Sequence, residues 1–257
     1  MLMVLTYMYV NHLNISGVSM KTIFYLPVLG TAAFLSLSTH VALAEETSYE
    51  FSGFSRILVS EGIDVKIVSG APDYRVVAQS EGLAGTSPVK ISQYRDRLKI
   101  ERKRRLSPVM RMLDGPLKVT VELPELSRLS VQEGSQARLA GTVASELDLI
   151  VSTGSEVQAD GISAKTIHLE VSTGSELEIT GQCQRLEVKG SQGADIDAYG
   201  LQCAEVHVAA KMGADINVTA TQSLSAKAFA GGDISVQGHP AQTDISSAFG
   251  GAVQIEG

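Results

Sequence analysis

Val-Ser-Thr-Gly-Ser-Glu-Val, from Val151 to Val157, returns as Val-Ser-Thr-Gly-Ser-Glu-Leu from Val171 to Leu177. Looser copies, Gly-Ala-Asp-Ile, begin at Gly193 and Gly213. Around this phrase runs a column of glycines, Gly134, Gly154, Gly174, Gly193, Gly213, Gly231 and Gly250, spaced 18 to 20 residues apart. Three residues after each stands Ala137, Val157, Leu177, Ile196, Ile216, Ile234 or Val253. Seven after each stands Gly141, Gly161, Gly181, Gly200, Ala220, Gly238 or Gly257. A fixed period near 20 residues marks a solenoid in which each copy is one rung.

The rung reads as β. Before each first glycine the apolar residues alternate, as in Leu147, Leu149, Val151 and Ile167, Leu169, Val171, so they share one face of a strand. A second short strand, such as Val157-Gln158-Ala159, lies between the two glycine columns, and glycines at its ends suit a sharply turning backbone. The four to six residues left over, such as Ile162 to Thr166, close the loop onto the next rung. No segment carries the i, i+3, i+4 pattern of a helix. Parallel strands stack about 4.8 Å apart and their crossovers are right-handed in the great majority of cases. These features predict an all-β, right-handed parallel β-solenoid of about seven rungs of 18–20 residues, preceded by a less regular β-rich part.

Outward from the repeats, the chain divides into three. Lys21, the apolar run Ile23 to Leu37, and Val41-Ala42-Leu43-Ala44 before Glu45 describe a secretory signal over 1–44, cleaved between Ala44 and Glu45. Met20-Lys21 reads as a natural start, so 1–19 reads as an upstream extension of the gene model. Residues 45–128 form a β-rich front part or cap, and 129–257 the repeats. The front part contains strands around Ile57 to Val59, Ile63 to Ile67 and Tyr74 to Ala78, a hairpin turning at Arg95-Asp96, and a strand from Leu117 to Leu123. These strands lack the glycine phase and are expected to cap the stack as less regular rungs or a packed sheet. The expected address is exported: periplasm, cell surface or extracellular space, with no transmembrane segment after signal removal.

Charge is unevenly placed. Glu45 to Arg128 holds 14 basic and 12 acidic residues (+2), and Leu129 to Gly257 holds 6 and 16 (−10). An acidic solenoid argues against nucleic acid as a partner. The basic stretch Arg102-Lys103-Arg104-Arg105 reads either as a solvated hairpin end or as a patch for an envelope glycan or protein. Cys183 and Cys203 fall at near-equivalent places in adjacent rungs, within the Cα separation a disulfide tolerates. They form a disulfide candidate, with a reduced buried pair as the alternative.

One acidic column follows each glycine by two residues: Glu156, Glu176, Asp195, Asp215 and Asp233. It reads as exposed, turn-stabilising carboxylates, and the competing reading is a calcium ladder. The five histidines, His12, His40, His168, His207 and His239, show no metal-binding spacing. The serines of the turns have no placed histidine partner, so nucleophilic catalysis is not indicated. No catalytic residue and no cofactor is expected.

The strand pair from Phe54 to Ile67, the Pro124-Glu125-Leu126 step and the recurring Ser/Thr-Gly-Ser or Gly-x-Asp-Ile rungs resemble the putative auto-transporter adhesin head domain, or GIN domain, over about Phe51 to Gly257. Ser152-Thr153-Gly154-Ser155 keeps that family's Ser-Gly-Ser-Gly motif in part, and Lys211-Met212-Gly213 departs from it. The resemblance implies an exported bacterial β-solenoid with no established catalytic residues. The functional expectation is a non-catalytic, adhesin-like or structural interaction module of the cell envelope. The alternatives are a glycan-binding or polysaccharide-active β-helix protein, and a ligand-binding or envelope-stress sensor subunit.

Overall fold

The computed structural model describes residues 45–80, 88–103, 116–141 and 143–256. The signal segment with Ala44 and the basic residues Arg104 and Arg105 lie outside the described residues. Among those described there is no helix, and the strands form a single wound sheet.

Two long parallel ladders carry the fold. The first joins β2 (Arg56–Ser60), β8 (Arg128–Gln132), β10 (Glu146–Ser152), the second halves of β11 (Glu156–Ser172), β12 (Glu176–Ser191), β13 (Asp195–Lys211) and β14 (Asp215–Phe229), and finally β16 (Gln242–Ala248). The second joins β3 (Asp64–Ser69), β9 (Gln136–Gly141), the first halves of β11 to β14, β15 (Asp233–Gln237) and β17 (Ala252–Glu256). A short third ladder of Ile162–Ala164, Gly181–Cys183 and Leu201–Cys203 closes the middle rungs.

Register turns each apolar column of the sequence into a stack. Ile57, Leu129, Leu149, Leu169, Val188, Val208 and Ala226 lie side by side on the first ladder. Val65, Ala137, Val157, Leu177, Ile196, Ile216 and Ile234 do so on the second. All are buried. Full burial of one such Leu, Val or Ile stabilises by about 1.5–3 kcal/mol, and a rung contributes several. Where one wall thins the other fills: Gly190 stands where a Cβ would meet Ile216 Cδ1 at 2.9 Å.

The corner between the ladders is the same two-residue device throughout. Thr153 (φ 59°) and Gly154 (φ 67°) are both left-handed, and so are the equivalent pairs from Glu61–Gly62 to Phe249–Gly250. The corners also hold one another. Gly134 N–H donates to the Thr153 carbonyl at 3.0 Å, Gly154 N–H to that of Thr173 at 3.0 Å, and Gly174 N–H to that of Gln192 at 3.0 Å. Just inside, Ser135, Ser155 and Ser175 are buried. Ser135 Oγ accepts from Gly62 N–H at 3.1 Å, and Ser175 Oγ accepts from Ser155 N–H at 3.3 Å. The turn serines are therefore structural ladder residues.

One expectation needs correction, the number of turns. The seven strand pairs from β8–β9 to β16–β17 are linked by six closing segments, so this stretch makes about six complete turns. The front part combines both forms expected of it, a rung and a packed antiparallel sheet. Glu61–Gly62 repeats the corner, and β2–β3 is a full rung in register with β8–β9. On its other side lie β6 (Arg97–Arg102) and β7 (Leu117–Leu123), parallel to β2 and β3. The chain thus enters at the second layer and leaves it through β4 (Arg75–Ser80) and β5 (Val89–Tyr94). It then lays down the first layer and passes to the third. Antiparallel β5, β4 and β1 (Glu45–Tyr49) cover the flanks of that first layer.

The two glycine columns serve different needs. At Gly154 no heavy atom lies within 4 Å of a built Cβ, so only the positive φ favours glycine; at Gly181 a Cβ would sit 1.9 Å from the Ile162 carbonyl oxygen of the preceding rung. Gly154→Ala is expected to cost about 1–2 kcal/mol, the left-handed penalty. Gly181→Ala is expected to cost more than about 3 kcal/mol, because backbone must move. Urea unfolding of the two variants checks the order, and equal losses would show that the inter-rung contact is not limiting.

Candidate functional site

The solenoid presents two strand faces, and the sequence decides what each carries. On the second ladder the outward residues include Glu156, Glu176, Asp195, Asp215 and Asp233, in register on successive strands. The next outward column adds Glu178 and Asp197. Strands about 4.8 Å apart hold like charges in a row. Gln136 Nε2 donates to Glu156 Oε2 at 3.1 Å at one end of it. No three of these carboxylates converge on a common point: the one ligand-competent group of three or more among the described residues lies elsewhere.

That group is on the first ladder. Glu146 and Asp148 project from β10, His168 from β11 opposite Asp148, and Glu187 from β12 opposite His168. His168 Nε2 is 3.3 Å from Glu146 Oε1, and its Nδ1 is 3.3 Å from Glu187 Oε2. Arg128 grips Asp148 Oδ2 through Nε at 2.9 Å and Nη2 at 2.5 Å. One ligand atom each from Glu146, Asp148 and His168 lie within 4.8 Å of one another, at an open basin of about 340 Å³. The sequence reading missed this grouping. Its signal was the column six residues before each glycine: Arg128, Asp148, His168, Glu187, His207, Ser225, Asp244. The spacing that brings these side chains together is the rung period and not a short motif.

At the front end the basic residues are largely engaged. Arg56 pairs with Asp96, and Lys90 Nζ lies 2.6 Å from Glu101 Oε1, with Lys99 on the other carboxylate oxygen. Arg102 Nη2 donates to the Gly62 carbonyl at 3.2 Å. The hydrogen bond from Lys90, then that from Lys99, holds the Glu101 carboxyl below the ordinary carboxylate value. The Arg56 hydrogen bond does the same for Asp96.

Cys183 and Cys203 are joined by a disulfide across facing positions of adjacent rungs, their Cα atoms 4.6 Å apart. Cys203 is buried and Cys183 partly so. The last corners carry apolar side chains: corner residues Met212 and Phe249, with Phe229 just before the Ala230–Gly231 corner, are 52%, 79% and 44% exposed, and the two rings meet edge to face at 4.8 Å.

The family model described as the putative auto-transporter adhesin, head GIN domain, matches residues 53–240. The chain belongs to that family. No curated protein matches it. The GIN-domain body is similar in fold to crystal structures of putative adhesins from two species. The Bacteroides fragilis protein has TM-score 0.67 and 16% identity, over 82% of this chain and 95% of that one. The Parabacteroides distasonis protein has TM-score 0.66 and 18% identity, over 83% and 97%. A putative lipid-binding protein from Parabacteroides distasonis is similar at TM-score 0.61 and 14% identity, over 83% and 97%. Among the described residues no helix is long and apolar enough to cross a membrane.

Two outcomes follow for this GIN domain. Because the folded Glu101 carboxyl titrates below its unfolded value, its pairing stabilises fully above the ordinary carboxylate value and is lost as pH falls through the lowered one. Glu101→Gln should cost about 1 kcal/mol or less near neutral pH and flatten the acid limb of the stability–pH curve, read by denaturant midpoints at several pH values. Replacing both Cys183 and Cys203 by Ala should lower the unfolding free energy by about 2–4 kcal/mol. An unchanged midpoint would mean that the stacked rungs already restrain this loop.

Proposed function

We propose that the protein is an exported, non-catalytic β-solenoid that serves as an adhesin-like interaction module of the bacterial cell envelope. The observation that carries this reading is the uninterrupted stacking from β8 to β17. Each corner from Glu133–Gly134 to Phe249–Gly250 is a two-residue left-handed step. Among the described residues no inserted loop walls a cleft along this stretch. A polysaccharide-active β-helix enzyme needs such a groove with acids converging on the bond to be cut; here the second-ladder acids run along a row, and Glu146 and Asp148 meet His168 at an open basin on the sheet face. Membership of the adhesin-head family and the adhesin-like neighbours support the same reading. The Cys183–Cys203 disulfide supports export, since such bonds persist in oxidising compartments.

The exposed corner of Met212, Phe229 and Phe249 is the surface that gains most from contact with an envelope component, because apolar area is removed from water there. The basic front end contributes less, since Arg56, Lys90 and Lys99 are already paired with Asp96 and Glu101.

Rapid alkylation of thiols in intact cells is expected to find Cys183 and Cys203 oxidised, and free thiols at steady state would refute export. The purified protein should be retained on envelope fractions, with the Phe229→Ser/Phe249→Ser double variant retained several-fold less. Turnover of an envelope polysaccharide by the protein would make it an enzyme and overturn the proposal.

A further inference from the structure

We propose that His168, Glu146 and Asp148 form a surface site for a zinc-class divalent transition-metal ion, with Glu187 as the residue that orients the histidine. The argument starts from the imidazole. A neutral imidazole has one N–H and one lone pair, yet His168 has a carboxylate oxygen 3.3 Å from each ring nitrogen. If Nδ1–H is given to Glu187, the Nε2 lone pair is aimed at Glu146, acceptor against acceptor. A second ring proton, or a cation bound between Nε2 and the carboxylates, removes that conflict.

The arrangement on either side of the ring is the one metal-binding histidines adopt. One nitrogen ligates while the other N–H is held by a carboxylate, which fixes the tautomer and raises ligand basicity. Glu146 and Asp148 alternate onto the same face of β10, and the register of β10 with β11 sets His168 directly opposite Asp148. Arg128 occupies Asp148 Oδ2 with two of its donors, Nε and Nη2, which leaves Oδ1 for an ion. Around a tetrahedral zinc, ligand atoms sit about 3.3 Å apart. The His168–Glu146 separation already matches this, and the full set, within 4.8 Å, closes by rotation of the exposed Glu146.

Charge and donor type decide the ion. The basin is lined by the four carboxylates of Glu146, Asp148, Glu170 and Glu187 against the two cations of Arg128 and Lys189. One imidazole with two carboxylates suits zinc, copper or nickel. Calcium needs six to eight oxygens, which three side chains on a flat sheet do not supply. The remaining positions on the metal fall to water.

Isothermal titration of the protein with Zn²⁺ is expected to give one ion per chain. His168→Ala and Glu146→Gln should each weaken binding by more than tenfold. Glu187→Gln should weaken it by about tenfold, the usual size of an orienting contact, and Arg128→Gln should tighten it by removing an opposing charge. Asp195→Asn, in the acidic row, should leave it unchanged. A nitrogen-detected correlation spectrum of His168 should show a proton on Nδ1 and an Nε2 signal that moves on Zn²⁺ addition. Uptake that survives His168→Ala but falls with Asp195→Asn would place the ion on the acidic row and overturn the proposal. So would a His168 that carries protons on both nitrogens and does not respond to Zn²⁺, since a proton would then fill the position.

Discussion

The molecule depends on one constraint: a rung can hide its aliphatic residues only by lying in register on another rung. Each strand of a parallel ladder forms its backbone hydrogen bonds with its neighbours, and a slip of one residue would turn every inward side chain to water. Leu149 buries only because Leu129 and Leu169 flank it, and they in turn depend on Ile57 and Val188. Register then propagates to everything else. It sets Cys183 opposite Cys203, stacks the corner serines, aligns five carboxylates on one face and places His168 between carboxylates on the other.

The cost of that alignment can be weighed. Two like charges about 4.8 Å apart in water repel by roughly 0.9 kcal/mol before salt screening, and physiological salt reduces this further. A rung that buries Ile167, Leu169, Val171, Leu177 and Ile179 gains on the order of 10 kcal/mol from apolar burial. Burial therefore decides the register, and the acidic row is tolerated.

What could be read in the sequence followed from whether spatial neighbours were also periodic neighbours. The rungs from Leu129 onward were legible because each lies on the copy 18–20 residues away, so both glycine columns and the apolar columns appear as a repeat. The β2–β3 rung was not, although it has the same left-handed corner at Glu61–Gly62. Its neighbour on one side, β8–β9, begins 72 residues later at Arg128, and its neighbour on the other is β6–β7. Ser69 also stands where the later copies have Gly141 or its equivalents, which hid the second column. The acidic column was visible because its charge has one sign. The column six before the glycine was not singled out because it changes type at each step, from Arg128 to Asp148 to His168 to Glu187. That alternation is what lets its members pair.

The contrast between those two columns gives the solenoid electrically different sides. The first ladder sets unlike side chains opposite one another: Arg128 meets Asp148, His168 meets Glu187, and one column to the side Arg185 meets Glu205 at 2.7 Å. Most of that field is cancelled within the molecule. On the second ladder nothing alternates between Glu156 and Asp233, and the charge stays open to solvent. Its potential adds along the row because the separations are shorter than the Debye length of about 8 Å. An approaching anionic surface is repelled along the whole row. A cationic partner, or one that brings counterions, meets a flat, regularly spaced set of carboxylates whose geometry is fixed by the backbone and not by flexible loops. A partner docking on that side would be selected by charge first, and the contact proposed at Met212, Phe229 and Phe249 would add an attraction that salt does not weaken.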